Sequence, residues 1–114
     1  MLINPEDLKI VRMKRAINAL IGDIKNKSFP VEKIIVFGSA LGEGFNEHSD
    51  LDICVVSNNE LNEKQKHTLE NYITNMLQGE VAVDFIYCTN ETLQTGSQVH
   101  KSIREKGRVM YEQV

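Results

Sequence analysis

Ile34-Ile35-Val36-Phe37-Gly38-Ser39, then ten residues, then Asp50-Leu51-Asp52-Ile53-Cys54-Val55-Val56: an apolar run broken by glycine and serine, and a second run that opens on two carboxylates. The continuous apolar stretch Ile34 to Phe37 has the composition of a strand in a sheet covered by helices, and Gly38 ends it. In the second run side chains alternate between faces, so Leu51, Ile53 and Val55 point to the helices while Asp50 and Asp52 share the opposite face. Two carboxylates about 4 Å apart repel by roughly 4 kcal/mol at an effective dielectric of about 20, enough to draw a proton or a metal ion onto the pair. A strand that ends in Gly-Ser and turns into a helix aims free backbone N–H groups at an anion. Phosphate and Mg²⁺ together imply nucleotide chemistry.

Outward from this core, Asn4-Pro5-Glu6-Asp7 is a helix start, with Asn4 as cap, proline at the first helical position and acids at the positive end of the dipole. Ile10, Met13, Ile17, Leu20, Ile21 and Ile24 recur at helical spacing as one apolar stripe, with Lys9, Arg12, Lys14, Arg15 and Lys25 mostly off it. Ser28-Phe29-Pro30 ends that helix. Ser39 to Glu43 forms a short helix, and residues 44–49 are a polar loop returning to the strand from Asp50 to Val56. Asn58 or Asn59 caps a second long helix whose inner stripe is Leu69, Tyr72, Ile73, Met76 and Leu77, and Gly79 ends it. Val81 to Tyr87 is the next strand. There the same alternation sets Val83, Phe85 and Tyr87 on one face and Asp84 on the other, so that three carboxylates converge. Thr95-Gly96-Ser97 introduces a third helix with Val99 and Ile103 facing in, and Arg108 to Tyr111 is a short final strand. The expected architecture is α/β (α+β): a single mixed sheet of about four strands covered by helices on one face, the other face left to the aspartates.

At 114 residues the chain has room for one core, so residues 1–114 are expected to form one domain. Apolar and charged fractions of 41% and 25% belong to a folding sequence rather than a disordered one. A net charge of −3 provides no general field for a polyanion, which argues against extended nucleic acid as a partner. No apolar run approaches the roughly 20 residues of a membrane span, and the N-terminal residues lack the basic and apolar regions of a signal peptide, so the expected location is cytoplasmic, away from the membrane. Cys54 and Cys88 fall inside strands without metal-ligand spacing and are read as reduced, buried thiols.

The run Val36 to Ile53 resembles the signature of the polymerase-beta-like nucleotidyltransferase superfamily. Val83-Asp84-Phe85-Ile86 resembles the later strand that carries the family's third carboxylate, and Ile103 to Glu112 resembles the usual ending of its small domains. The short length is similar to that of minimal nucleotidyltransferases, the catalytic domain alone, as in MntA-like antitoxins of HEPN/MNT toxin–antitoxin pairs. The resemblance implies Mg²⁺-dependent transfer of a nucleoside monophosphate, AMP from ATP, to a hydroxyl acceptor with release of pyrophosphate. It implies that Asp50 and Asp52 hold two Mg²⁺ ions and that Asp84 completes the catalytic metal site. Gly38 would let the backbone approach the triphosphate, and Ser39 would offer its hydroxyl and N–H to the terminal phosphates. The acceptor surface would then come from a helical HEPN-type partner offering a tyrosine hydroxyl, or from a homodimer.

The sequence departs from many small relatives just after Ser39, where Ala40-Leu41 stands in place of basic residues. Lys101, Arg104 and the first helix are the candidates for a compensating cation. The same departure supports an alternative: a weakly active or inactive binding module that neutralises a helical partner by covering it. Nucleotidylation of a small molecule such as an antibiotic fits the length less well. His48 is read as a solvated loop residue and Ser49 as shaping the turn that presents Asp50.

Overall fold

The computed structural model describes residues 5–38, 51–77 and 82–113. Eight elements follow one another: α1 (Pro5–Asn26), β1 (Lys33–Phe37), β2 (Leu51–Ser57), α2 (Glu63–Leu77), β3 (Val83–Thr89), α3 (Asn90–Thr95), α4 (Gln98–Lys106) and β4 (Arg108–Glu112). The strands form a single mixed sheet in the order β3-β2-β1-β4. β1 runs antiparallel to both β2 and β4, and β2 runs parallel to β3. The parallel pair is joined through α2, as parallel neighbours need a long crossover.

The sheet's first face is the main core. Ile34 and Val36 of β1 and Leu51, Ile53 and Val55 of β2 pack under Met13, Ala16, Ile17, Leu20 and Ile24 of α1 and Leu69, Ile73 and Leu77 of α2. Each such side chain taken from water contributes about 1.5–3 kcal/mol, which is why two helices with one apolar stripe each suffice to hold this face. α1 stops where Ser28 turns left-handed at φ 53°, and the Phe29 N–H donates to the Ile24 carbonyl at 3.1 Å, a closing turn that satisfies a carbonyl at the helix end. Phe29 then folds back onto the core.

Four differences from the sequence expectation have physical causes. α2 is capped by Asn62, not Asn58 or Asn59: the Gln65 N–H donates to Asn62 Oδ1 at 2.8 Å and the Asn62 N–H to Gln65 Oε1 at 2.9 Å. This reciprocal capping box is spelled by the Asn-x-x-Gln spacing. Thr89 starts an unanticipated helix, α3, by accepting from the Thr92 N–H at 3.2 Å, and α3 and α4 bring a second layer onto the other face of the sheet. There Leu93 and Ile103 cover Ile35, Cys54, Val56 and Cys88, so helices occupy part of the face that was to be left open. An apolar row of that width must be covered. Finally, Val99 is half-exposed while Ile103 is the buried residue of α4, because Ile103 is the one that packs with Ile35 of β1 and the buried row beside it. β4 carries a bulge opposite Ile34 and Ile35, which lets Met110 and Tyr111 both pack on the main core.

Asn4, the short helix expected from Ser39, the loop at 44–49, Gly79 and Val81 lie outside the described residues. Among the described residues no helix is long and apolar enough to cross a membrane.

Candidate functional site

Alternation and register together define one row across the second face. Phe37 at the end of β1 is the register partner of Asp52 on β2, and Asp52 is the partner of Asp84 on β3. Neighbouring strands lie about 4.8 Å apart, so the two aspartates stand side by side on one face. Asp52 is half-buried and Asp84 exposed. The next row inward, Ile35, Cys54 and Ile86, is an apolar floor.

Gly38 follows Phe37 with φ at 79°, the left-handed region, where glycine carries no steric cost. A second reason forbids a side chain there. A Cβ on Gly38 would overlap the Asp52 carboxylate at Oδ2 and would lie 3.1 Å from its Cγ. The backbone of the β1 exit and the carboxylate on β2 are thus in direct apposition, and the apposition requires both residues as they are.

Two carboxylates side by side on one face repel each other. A divalent cation removes that cost and gains two hard oxygen ligands. The donor set therefore fits Mg²⁺. Asp50 and Ser39, named with Asp52, Asp84 and Gly38 as site residues, lie outside the described residues, as do Ala40, Leu41 and His48. Among the described residues no three His, Cys, Asp or Glu side chains are grouped closely enough to hold a metal ion; Asp52 and Asp84 are the two expected ligands that fall within them.

Arg104, a candidate for the compensating cation, is occupied elsewhere. Its Nη1 donates to the carbonyls of Leu93 and Gln94 at 2.6 and 2.7 Å, closing the C-terminal end of α3 and fixing α4 to it. Lys101 is exposed on α4. Phe37 was read from the sequence only as a strand residue; the same two-residue period that paired the aspartates would have set it beside Asp52, given the antiparallel pairing of β1 with β2.

Further along the same face the two thiols meet. Cys54 and Cys88 are both free and buried, as expected, and their sulfurs are 3.6 Å apart. The sulfur–sulfur contact with Cys54 holds the Cys88 thiol below its ordinary value, against the opposing effect of burial. The same contact, with burial, pushes Cys54 up.

With fold and row described, the relatives can be compared. Residues 19–113 match the family "Polymerase beta, Nucleotidyltransferase", and the chain belongs to that family. Among curated proteins none matches significantly. Among solved structures, a toxin–antitoxin complex with AMP-PNP contains a chain that is 20% identical, with 87% of this chain and 73% of that one covered at a TM-score of 0.62. A tri-AMPylated HEPN toxin in complex with its MNT antitoxin, from Shewanella oneidensis, matches at 20% identity, 89% and 73% coverage and a TM-score of 0.58. A nucleotidyltransferase-like protein from Sulfolobus solfataricus matches at 15% identity, 98% and 91% coverage and a TM-score of 0.62. At these identities the likeness is one of fold, and the fold is that of minimal nucleotidyltransferases of the MNT type.

Proposed function

We propose that the chain is an Mg²⁺-dependent nucleotidyltransferase that moves AMP from ATP to a hydroxyl on a partner protein. The observation that carries this is the row Asp52–Asp84 with Gly38 turned against the Asp52 carboxylate. Asp52 and Asp84, with Asp50 two residues before Asp52, would hold Mg²⁺ through carboxylate oxygens, leaving the remaining coordination to phosphate and water. Bound there, Mg²⁺ supplies charge neutralisation for the triphosphate and a lowered pKa for the attacking hydroxyl. Gly38 keeps the β1 exit free of side-chain bulk so that phosphate oxygens reach backbone N–H groups, and Ser39 adds a hydroxyl donor. The half-buried Asp52 is positioned by β1 and β3 on either side, so its carboxylate requires little reorganisation to bind the ion. Residues 1–114 act in this proposal as a single nucleotidyltransferase domain in the cytoplasm.

The comparisons in fold support a reading of the acceptor. Relatives of this shape are seen with HEPN toxins, in one case AMPylated, and by likeness we assign a helical HEPN-type protein as the partner, with a tyrosine hydroxyl as the acceptor. The test is incubation of the chain with labelled ATP, Mg²⁺ and the product of the neighbouring gene. Label is expected on the partner with wild type and absent with Asp52→Asn. Equal labelling by both chains would remove the aspartate row from catalysis. Partner binding that survives in Asp52→Asn while wild type transfers nothing would instead favour the covering module that Ala40-Leu41 points to.

A further inference from the structure

Cys54 and Cys88 take no part in the proposed chemistry, and their arrangement goes beyond that of two packing residues. Their sulfurs are in contact at 3.6 Å across the parallel strands β2 and β3. They are not register partners: Cys54 pairs with Ile86 and Cys88 with Val56, so the contact is diagonal. Cys88 keeps 8% of its surface exposed, whereas Cys54 keeps none. Cys54 is wholly buried, so an oxidant meets Cys88 first. The contact with Cys54 favours the thiolate of Cys88, which supports the order that burial already sets.

We propose that Cys88 and Cys54 form a peroxide-oxidised dithiol, with Cys88 as the attacked sulfur and Cys54 as the resolving one. In the first step Cys88 sulfur takes one oxygen from hydrogen peroxide, the O–O bond breaks, the thiol proton leaves with the departing hydroxide as water, and Cys88 becomes a sulfenic acid. In the second the Cys54 sulfur displaces that hydroxyl. Its thiol proton completes a second water, and the S–S bond forms. Peroxide is reduced to two waters and two thiols are oxidised to one disulfide. Bond formation brings the sulfurs from 3.6 Å to about 2.05 Å. Because the pair is diagonal, closure pulls β3 along β2 and displaces Asp84 relative to Asp52. A disulfide formed against strand register is readily reduced, so the modification is reversible. The consequence for nucleotide binding rests on the function proposed above; the cross-link does not.

The experiment is titration of the native, reduced chain with hydrogen peroxide, followed by intact mass, thiol counting in denaturant and peptide mapping. Expected are the loss of both titratable thiols and of the mass of two hydrogens, a Cys54–Cys88 cross-linked peptide, and full reversal by dithiothreitol. Cys54→Ser leaves Cys88 as a sulfenic acid trapped by dimedone, and Cys88→Ser leaves Cys54 unmodified. Two thiols surviving in wild type, or further oxidation of Cys88 without a cross-link, would overturn the assignment. Calorimetry with Mg²⁺ and a non-hydrolysable ATP analogue reads the strand shift: affinity falls on oxidation and returns on reduction, whereas unchanged affinity of a cross-linked chain would overturn the shift. A reduced chain that binds no nucleotide counts against the proposed function and leaves the cross-link readout intact.

Discussion

The two ends of the sheet's second face share the same strands and the same alternation, yet they are built for different work. Toward Ser57 and Thr89, Ile35, Cys54, Val56 and Cys88 lie under Leu93 and Ile103; toward Leu51 and Val83, the same face carries a half-buried Asp52 and an exposed Asp84. One face thus divides by side-chain chemistry. Apolar residues gain about 25 cal/mol per Å² when covered, whereas a carboxylate placed under an apolar helix loses hydration worth several kcal/mol. The covered end holds the sheet together, and the acidic end concentrates charge that a cation can relieve.

The division is broken most severely at the acidic end. Asp52→Asn is expected to lower nucleotide transfer to the partner about a thousandfold, since a metal clamp supplies several kcal/mol of transition-state stabilisation. The thermal midpoint should change little, because asparagine keeps the shape of aspartate and one acceptor oxygen; a large loss of midpoint would make Asp52 a structural residue. At the covered end Ile103→Ala should cost about 2–5 kcal/mol in urea unfolding through the cavity it leaves, with transfer per folded molecule unchanged. Gly38→Ala couples the two kinds of effect. It imposes about 1–3 kcal/mol of backbone strain and moves the Asp52 carboxylate, so both the unfolding midpoint and the transfer rate should drop, and a drop in one alone would separate the glycine's two roles. Smallest is Asn62→Ala, which removes one half of the α2 capping box and should cost about 1 kcal/mol of stability with no effect on transfer.

The strands of the acidic end were readable because period two is a strong constraint: once Leu51, Ile53 and Val55 face the helices, Asp52 has one face left, and Asp84 follows by the same rule from Val83 and Phe85. What the period does not reveal is register. That Asp52 meets Asp84, and not a residue two positions away, depends on how α2 returns the chain to the sheet. α3 escaped notice because six residues carry too little periodicity to stand out, and its one signal, Thr89 three residues before Thr92, is a common spacing. Val99 was placed inward on helical spacing alone, but in the first turn of a nine-residue helix the spacing permits burial without providing a neighbour. The contact between Cys54 and Cys88, 34 residues apart in sequence, is a product of the β2–β3 pairing and had no local signature. Arg104 likewise looked like an available cation until the fold set two carbonyls of α3 in front of it.

The claim that the aspartate row is a metal-dependent nucleotide site is tested most directly without any acceptor, by calorimetric titration of a non-hydrolysable ATP analogue into the reduced chain. Binding is expected with Mg²⁺, sharply weaker with a chelator, and lost in both Asp52→Asn and Asp84→Asn at unchanged fold. Equal binding by wild type and both variants, with and without Mg²⁺, would contradict it.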